Sequence, residues 1–245
     1  MHANTPYINE LAPSGTLRAA LNMGNPVLAH YTGQPQQPAG VSVDLSAEFA
    51  KSLGVAVTFL CFPTAADSVH AVQNGDADIG FMAIDPKRSE GIHFSAPYVQ
   101  IEGSYVVPND SPITSNEQVD QAGHRLVVGA ASAYDLFLTR HIRHAELVRV
   151  PLSEQVIETL LQSGYSAGAG VRQQLEAEAA RVGRVRLLDG GFMVINQACA
   201  ISAKHSHPTQ QFLNAFVESM KASGFVARAL SRHGIQGVKV APLVS

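Results

Sequence analysis

Ten histidines, two cysteines and twenty carboxylates are the side chains with which this protein could do metal or acid–base chemistry. Their spacing argues against it. His141 and His144 stand three apart on an expected helix, and His205 and His207 flank Ser206. A zinc site needs three or four ligands, and neither pair has a third at ligand spacing, so these are read as solvated surface histidines. The metalloprotease spelling H-E-x-x-H, the pair C-x-x-C and the phosphate-cradling G-x-x-x-x-G-K-[ST] and G-x-G-x-x-G are all absent. Asp76 and Asp78 open a strand-like run, where carboxylates serve turn geometry better than they serve as an acid–base pair. Cys61 and Cys199 are too few for a disulfide scaffold and read as small buried apolar residues. No catalytic residue, metal or cofactor is expected.

Composition narrows the classes further. At 245 residues the chain makes one large domain or two small ones. Apolar residues at 46% and charged residues at 15% exclude disorder. A net charge of -3 provides no positive field for a phosphate backbone, so no nucleic-acid partner is expected. No apolar run is long enough to span a membrane. Residues 1–20 lack the basic segment followed by an apolar one that marks a secretory leader, which suits either a cytoplasmic protein or a mature chain with a new start.

The elements that must position any site alternate between strand and helix. Residues 16–21 (TLRAAL) read as a strand, followed by a long loop through Pro26, Gly33, Pro35, Pro38 and Gly40. Leu45, Phe49 and Leu53 mark a helical face, with Asp44 as its expected N-cap and Gly54 as its stop. A strand over 55–60, a short helix around Val69 and Val72 ending at Gly75, and a strand over 76–84 complete a β-α-β-α-β order, hence a parallel sheet. A strand over 104–110 leaves this unit, and a second series begins. It has strands at 124–130, 147–151 and 185–189. Its helices cover 133–143 after Ser132, 153–162 before Gly164, and 171–182 with Leu175, Ala179 and Val182 on one face. The pair Gly190-Gly191 suggests a hinge, 198–202 a strand, Pro208 the first turn of a helix stopping at Gly224, and a last helix ends near Gly234.

The motifs GTLRAAL, GVSVDLSAEFAKSLGV, VQNGDADIGFMAIDPKRSEGIHFSAPYV and HRLVVGAASAYD succeed one another in order. This ordered set, above all GDADI followed by PKR and FSAPY, resembles the family 3 solute-binding proteins of ABC transporters, the amino-acid-binding group with the type II periplasmic-binding fold. The resemblance implies an α/β protein of two lobes, each a mixed, mostly parallel sheet with helices on both faces. Lobe 1 would comprise 1–107 and 193–245, lobe 2 the insert 108–192, with two hinge crossovers near Val107-Pro108 and Gly190-Gly191. Ligand would bind between the lobes, outside the carboxyl ends of the strands, with hinge closure. The function implied is that of a monomer, not an enzyme, that binds a small carboxylated metabolite, an amino acid or related organic acid. It would deliver this to a membrane permease in the periplasm, a cytoplasmic location being the alternative.

The same resemblance assigns ligand contacts residue by residue. Arg88 stands where the family's arginine grips the ligand carboxylate, a task that suits the rigid guanidinium fork. Asp85 and Ala83 stand where hydroxyl residues are common; Asp85 either faces the site or turns away to cap the turn ahead of Pro86. Ser132 occupies the loop that offers a helix N-terminus to the carboxylate, with Tyr134 and Asp135 in the first turn. Gly170 stands where an aspartate takes the ligand ammonium, and Arg172 follows. Arg172 then either adds a positive charge that favours an anionic ligand or is a solvated residue at a helix start. Asp135 or Glu102 could replace the missing anion. Asn22 keeps a polar group at a strand end, and Tyr31 supplies an aromatic wall or packs on its own lobe. Two other readings stay open: an enzyme on the same fold resembling cyclohexadienyl dehydratase, with Glu102, Asp85 or His93 as acid or base, and a leaderless cytoplasmic sensor.

Overall fold

The computed structural model describes residues 5–33 and 37–244; Pro35 of the expected long loop lies outside the described residues. Two compact units emerge, Met1–Gln100 with Asn196–Ser245, and Ile101–Ile195. They divide a few residues away from the crossings anticipated at Val107-Pro108 and Gly190-Gly191. No helix among the described residues is long and apolar enough to cross a membrane.

The first unit contains α1 (Thr5–Leu11), β1 (Thr16–Asn22), β2 (His30–Thr32), β3 (Gln37–Ala39), α2 (Val41–Leu53), β4 (Ala56–Phe62), α3 (Ala65–Asn74) and β5 (Ile79–Ala83). Strand β1 pairs in parallel with β4 and with β5, as the β-α-β-α-β order requires. Strand β6 (Ile92–Pro108) begins in this unit and ends in the other. The chain returns later through β11 (Met193–Ser202), α7 (His207–Ala222), α8 (Phe225–Arg232) and β12 (Lys239–Val240). Strand β11 runs antiparallel to β5, and β12 runs antiparallel to β6. Val69 and Val72 of α3 pack on Ala20, Met82, Ile92 and Ala200. Phe49 of α2 meets Phe212 and Phe216 of α7.

Helix α2 departs from its expected start. Its N-cap is Gly40, and Asp44 lies inside the first turn, where its carboxylate accepts from Arg232 and lies 2.9 Å from His233 Nε2. A carboxylate in the first turn also suits the positive end of the helix. Gly40 has a φ of 126°, and a Cβ built there would stand 2.4 Å from the Leu28 carbonyl oxygen. Both the dihedral and the space demand glycine, so Gly40→Ala is expected to lower unfolding free energy by about 3 kcal/mol. A urea midpoint that does not move would refute this. At the other end Gly54 is left-handed, with φ 73°, and closes the helix as expected.

The second unit contains the rest of β6, β7 (Arg125–Gly129), α4 (Ala133–His141), β8 (Glu146–Val150), α5 (Val156–Ser163), β9 (Ala167–Val171), α6 (Arg172–Val182) and β10 (Val185–Leu187). Strand β7 is parallel to β8 and β9, while β9 and β10 are antiparallel to β6. Its core is Val106, Val127, Val150, Val156, Ile157, Leu160, Leu175 and Val185. Two expectations are corrected here. Residues 167–171 form a fully buried strand that composition hides, because AGAGV has no large apolar residue to alternate. Helix α6 accordingly starts at Arg172, since Val171 belongs to that strand. Gly168 is required by packing: a Cβ would reach Val156 at 2.8 Å and Val106 at 3.1 Å.

Candidate functional site

In the first unit the candidate residues gather at the carboxyl ends of the parallel strands. Asn22 closes β1, opposite Phe62 of β4, and Ala83 closes the neighbouring β5. Five residues beyond Ala83 the chain has turned back, so the Arg88 guanidinium donates through Nη1 to the Ala83 carbonyl at 3.1 Å. The turn is made by Asp85. Its Oδ1 accepts the Lys87 N–H at 2.9 Å, and its carbonyl accepts the N–H groups of Arg88 and Ser89. Asp85 is therefore folded into its own loop as an Asx turn ahead of Arg88, while Lys87 is exposed. Arg88 is only 5% exposed. Burial pulls its pKa down to about 10, against the opposing field of Asp85. At neutral pH the group stays charged, so the fold maintains a desolvated cation at the strand ends.

The other first-unit candidates serve smaller roles. Asn22 Oδ1 accepts the Gly24 N–H at 3.1 Å and shapes the loop after β1. Tyr31 is about half exposed, and a hydrogen bond with the Cys61 side chain, followed by burial, raises its pKa. Cys61 itself lies near the carboxyl end of β4, opposite Leu21. Ala83 offers no hydroxyl, and its contribution is the carbonyl that holds Arg88.

In the second unit the candidates again lie at carboxyl ends, after β7 and β9. Ser132 caps α4: its Oγ accepts the Asp135 N–H at 3.1 Å. Among the described residues the N–H groups of Ala133 and Tyr134 find no acceptor, as the first turn of a helix dictates. Tyr134 is buried and donates its hydroxyl to Ser153 Oγ at 2.7 Å. Burial raises its pKa in spite of that bond. Asp135 is also buried; it accepts the Ala131 N–H at 2.8 Å and an ion pair from Arg149.

Arg172 is not the lone positive charge that one sequence reading allowed. Its Nε donates to Glu102 Oε2 at 2.8 Å, and Nη1 lies 3.5 Å from Glu176. The pairing follows from register, because Gly103 of β6 stands opposite Val171 of β9 and brings the next residues together. Glu102 and Asp135, the candidate replacements for the absent ammonium partner, are thus both engaged by arginines. Gly170 lies in β9, where a Cβ would press on Leu175 at 3.1 Å.

One catalytic spelling, expected to be absent, is present in the sequence. Residues 164–168, GYSAG, read G-x-S-x-G, the pattern of a nucleophile elbow. An elbow joins a strand to a helix. Here the run leaves helix α5 at its left-handed cap Gly164 and enters strand β9, the reverse order. Ser166 Oγ accepts the Arg125 N–H, and among the described residues no histidine bonds it. His93, the other acid–base candidate, adjoins Asn214 of α7, two residues before Ser95, whose hydroxyl accepts the Cys199 N–H. Cys199 is opposite Phe81 and Gln197 opposite Ala83, so His93 lies toward the amino-terminal end of β5, away from Ala83 and the turn that carries Arg88. No group of three or more metal-ligating side chains occurs among the described residues.

The profile of the bacterial extracellular solute-binding proteins, family 3, matches residues 17–235. No curated protein matches the chain. Among solved structures, the solute receptor for L-cysteine of Neisseria gonorrhoeae is 22% identical, with a TM-score of 0.78 over 92% of this chain and 93% of that one. An amino acid ABC transporter substrate-binding protein of Streptococcus pneumoniae bound to L-arginine is 18% identical, with a TM-score of 0.77 over 91% and 96%. An ancestral amino acid-binding protein, a precursor of cyclohexadienyl dehydratase, is 23% identical, with a TM-score of 0.75 over 92% and 98%. At these identities the likeness is one of fold.

Proposed function

We propose a ligand class and a role for a chain that belongs to the family 3 bacterial extracellular solute-binding proteins: it binds a small carboxylated metabolite, an amino acid or related organic acid, and delivers it to the membrane permease of an ABC-type uptake system. The observation that carries this reading is Arg88, a charged guanidinium kept desolvated at the strand ends. Its place at the strand ends and its rigid fork suit a ligand carboxylate, which it would hold through two charge-assisted hydrogen bonds. Within the second unit, the Ser132 hydroxyl and the N–H groups of Ala133 and Tyr134 are a further set of donors suited to a carboxylate. The proteins of known structure that share the fold and bind L-cysteine or L-arginine support a ligand of amino-acid size. Family membership supports a periplasmic or extracellular location.

Whether the ligand carries an amine is a separate point. Glu102 and Asp135 are each held by an arginine, so an ammonium would have to share a carboxylate with Arg172 or Arg149. This supports organic acids alongside amino acids in the search for the ligand. The dehydratase reading has less support, because Asp85 makes its turn, Glu102 is paired and His93 is remote from Arg88.

A thermal-shift panel tests the proposal: L-cysteine, L-arginine and L-lysine against 2-oxo and dicarboxylic acids. At a hundredfold excess over Kd, binding adds about 2.7 kcal/mol. For a chain of this size that raises Tm by about 5–10 °C. A shift with a carboxylate of either class supports the reading; a flat response to every acid in the panel, with no ligand retained in native mass spectrometry, would overturn it.

A further inference from the structure

We infer that Arg149 is a positioning residue for the ligand carboxylate: it holds the Asp135 side chain against the Ala131 N–H and cancels a negative charge that would otherwise repel an anion from the first turn of α4. The inference rests on the carboxylate reading above and deepens it.

The geometry begins at Ala131. Its φ of 55° is the only positive value at a non-glycine among the described residues, a conformation that costs about 1 kcal/mol. Such a residue persists where its surroundings over-determine it. Here the Ala130 N–H donates to Val150, the Ser132 N–H to Gly129, and between them the Ala131 N–H is held by Asp135 Oδ2 at 2.8 Å. The kink sets the direction in which α4 leaves β7, and hence where the Ala133 and Tyr134 N–H groups point.

The same carboxylate is a liability for anion binding. It lies in the first turn of α4, within a few residues of the donors, and its side chain is only 6% exposed, so water screens it poorly. Arg149, on β8 opposite Val128 of β7, answers it. Its Nε approaches both Asp135 oxygens, at 3.0 and 3.2 Å, and Nη2 donates to Thr139 Oγ1 at 2.8 Å. Thr139 in turn donates to the Asp135 carbonyl and Oδ1. The guanidinium is thus anchored at two points, and the helix start is neutral in sum. The other charged or titratable groups around α4 are engaged elsewhere or lie further along: Tyr134 bonds Ser153, His141 Nδ1 faces the Phe137 carbonyl, and Arg125 at the far end of β7 pairs with Glu146.

The experiment compares the wild type with Arg149→Gln, Asp135→Asn and the double variant. The probe is whichever of L-cysteine, L-arginine, L-lysine or 2-oxoglutarate binds the wild type most tightly, measured by calorimetry. Arg149→Gln should weaken it about tenfold to a hundredfold, the range expected for an uncompensated charge a few ångströms away. Adding Asp135→Asn should recover binding to within about threefold of the wild type, since neither charge remains. Raising NaCl from about 0.02 to 0.5 M should strengthen binding to Arg149→Gln, by screening the repulsion, while leaving the double variant unchanged. A purely structural role would not reverse the sign of the salt effect. Should Arg149→Gln fail to fold, Arg149→Lys serves, with a smaller loss expected because the charge stays and the fork does not. Wild-type affinity in Arg149→Gln, or a loss insensitive to both salt and Asp135→Asn, overturns the inference alone. A wild type that binds none of the probes overturns the carboxylate reading and this inference with it.

Discussion

Arg88→Met is expected to lose at least a hundredfold in affinity for the native ligand while leaving the ligand-free protein about as stable as before. The two halves of this result come from the same fact. Burial lowers the Arg88 pKa to about 10, so holding the guanidinium charged inside the fold costs on the order of 3 kcal/mol. A folded pKa below the free value means that the charged form is disfavoured by folding. That cost is present throughout the neutral range and would be relieved only near or above the folded pKa. Methionine fills a similar volume without a charge and removes the cost. Against this, Asp85 loses its nearest countercharge and Ala83 its hydrogen-bond donor. The terms oppose each other, and a net within about 1 kcal/mol moves Tm by no more than ~4 °C. Ligand binding has no such compensation: a charge-assisted bond contributes about 1.5–3 kcal/mol, and a carboxylate that loses both arms of the fork loses twice that. Arg88→Lys keeps the charge without the fork and should fall between, about tenfold weaker than the wild type. Calorimetry on all three proteins decides it. Affinity in Arg88→Met within a few-fold of the wild type would remove Arg88 from the site.

What could be read from the sequence was local. Leu45, Phe49 and Leu53 are four apart, and Gly54, Gly75 and Gly164 each stop a helix with a positive φ, so those boundaries need no tertiary knowledge. Ser132 caps α4 through a bond to a residue three positions on, within reach of any pattern search. The Asx turn at Asp85 is equally short-range. The misreadings share the opposite property. Asp44 looked like a cap because its partners, Arg232 and His233, stand some 190 positions away. Arg172 looked free because Glu102 is 70 positions earlier and meets it only through the β6–β9 register. Four of the five residues of strand β9 are alanine or glycine, which are depleted in strands; neighbours on both sides impose its conformation. Arg149 escaped notice for the same reason, since nothing near it in sequence announces its bond to Asp135 fourteen residues back. The local geometry around the candidate residues was thus legible, while their electrostatic state was not, because charge partners are set by sheet pairing.

Deleting residues 206–245 is expected to unfold the first unit rather than to remove a separate module. The deleted segment supplies Leu213, Phe216 and Val217 of α7 and Val226 and Leu230 of α8, all buried. At about 1.5–3 kcal/mol per large apolar side chain, this burial amounts to roughly 8–15 kcal/mol. A domain has only about 5–15 kcal/mol of net stability to lose. The loss is concentrated on what remains. Phe49 would face water where Phe216 stood 4.7 Å away, and Tyr7 would lose the Phe212 ring stacked on it at 4.4 Å. Glu10 would lose both bonds from Ser206, and the edge of β6 at Val99 and Gln100 would lose β12. The second unit keeps its own core, since every residue of it lies between Val106 and Val185. Cys199 is the reporter. In the intact protein it is buried in β11, and burial raises its pKa, so a thiol reagent should not react with it. In a Cys61→Ser background, the truncated chain should label at Cys199 within minutes, and limited proteolysis should leave a fragment near residues 101–195. Protection of Cys199 in the truncated chain, with unchanged far-ultraviolet circular dichroism, would show that the first unit closes without its C-terminal segment.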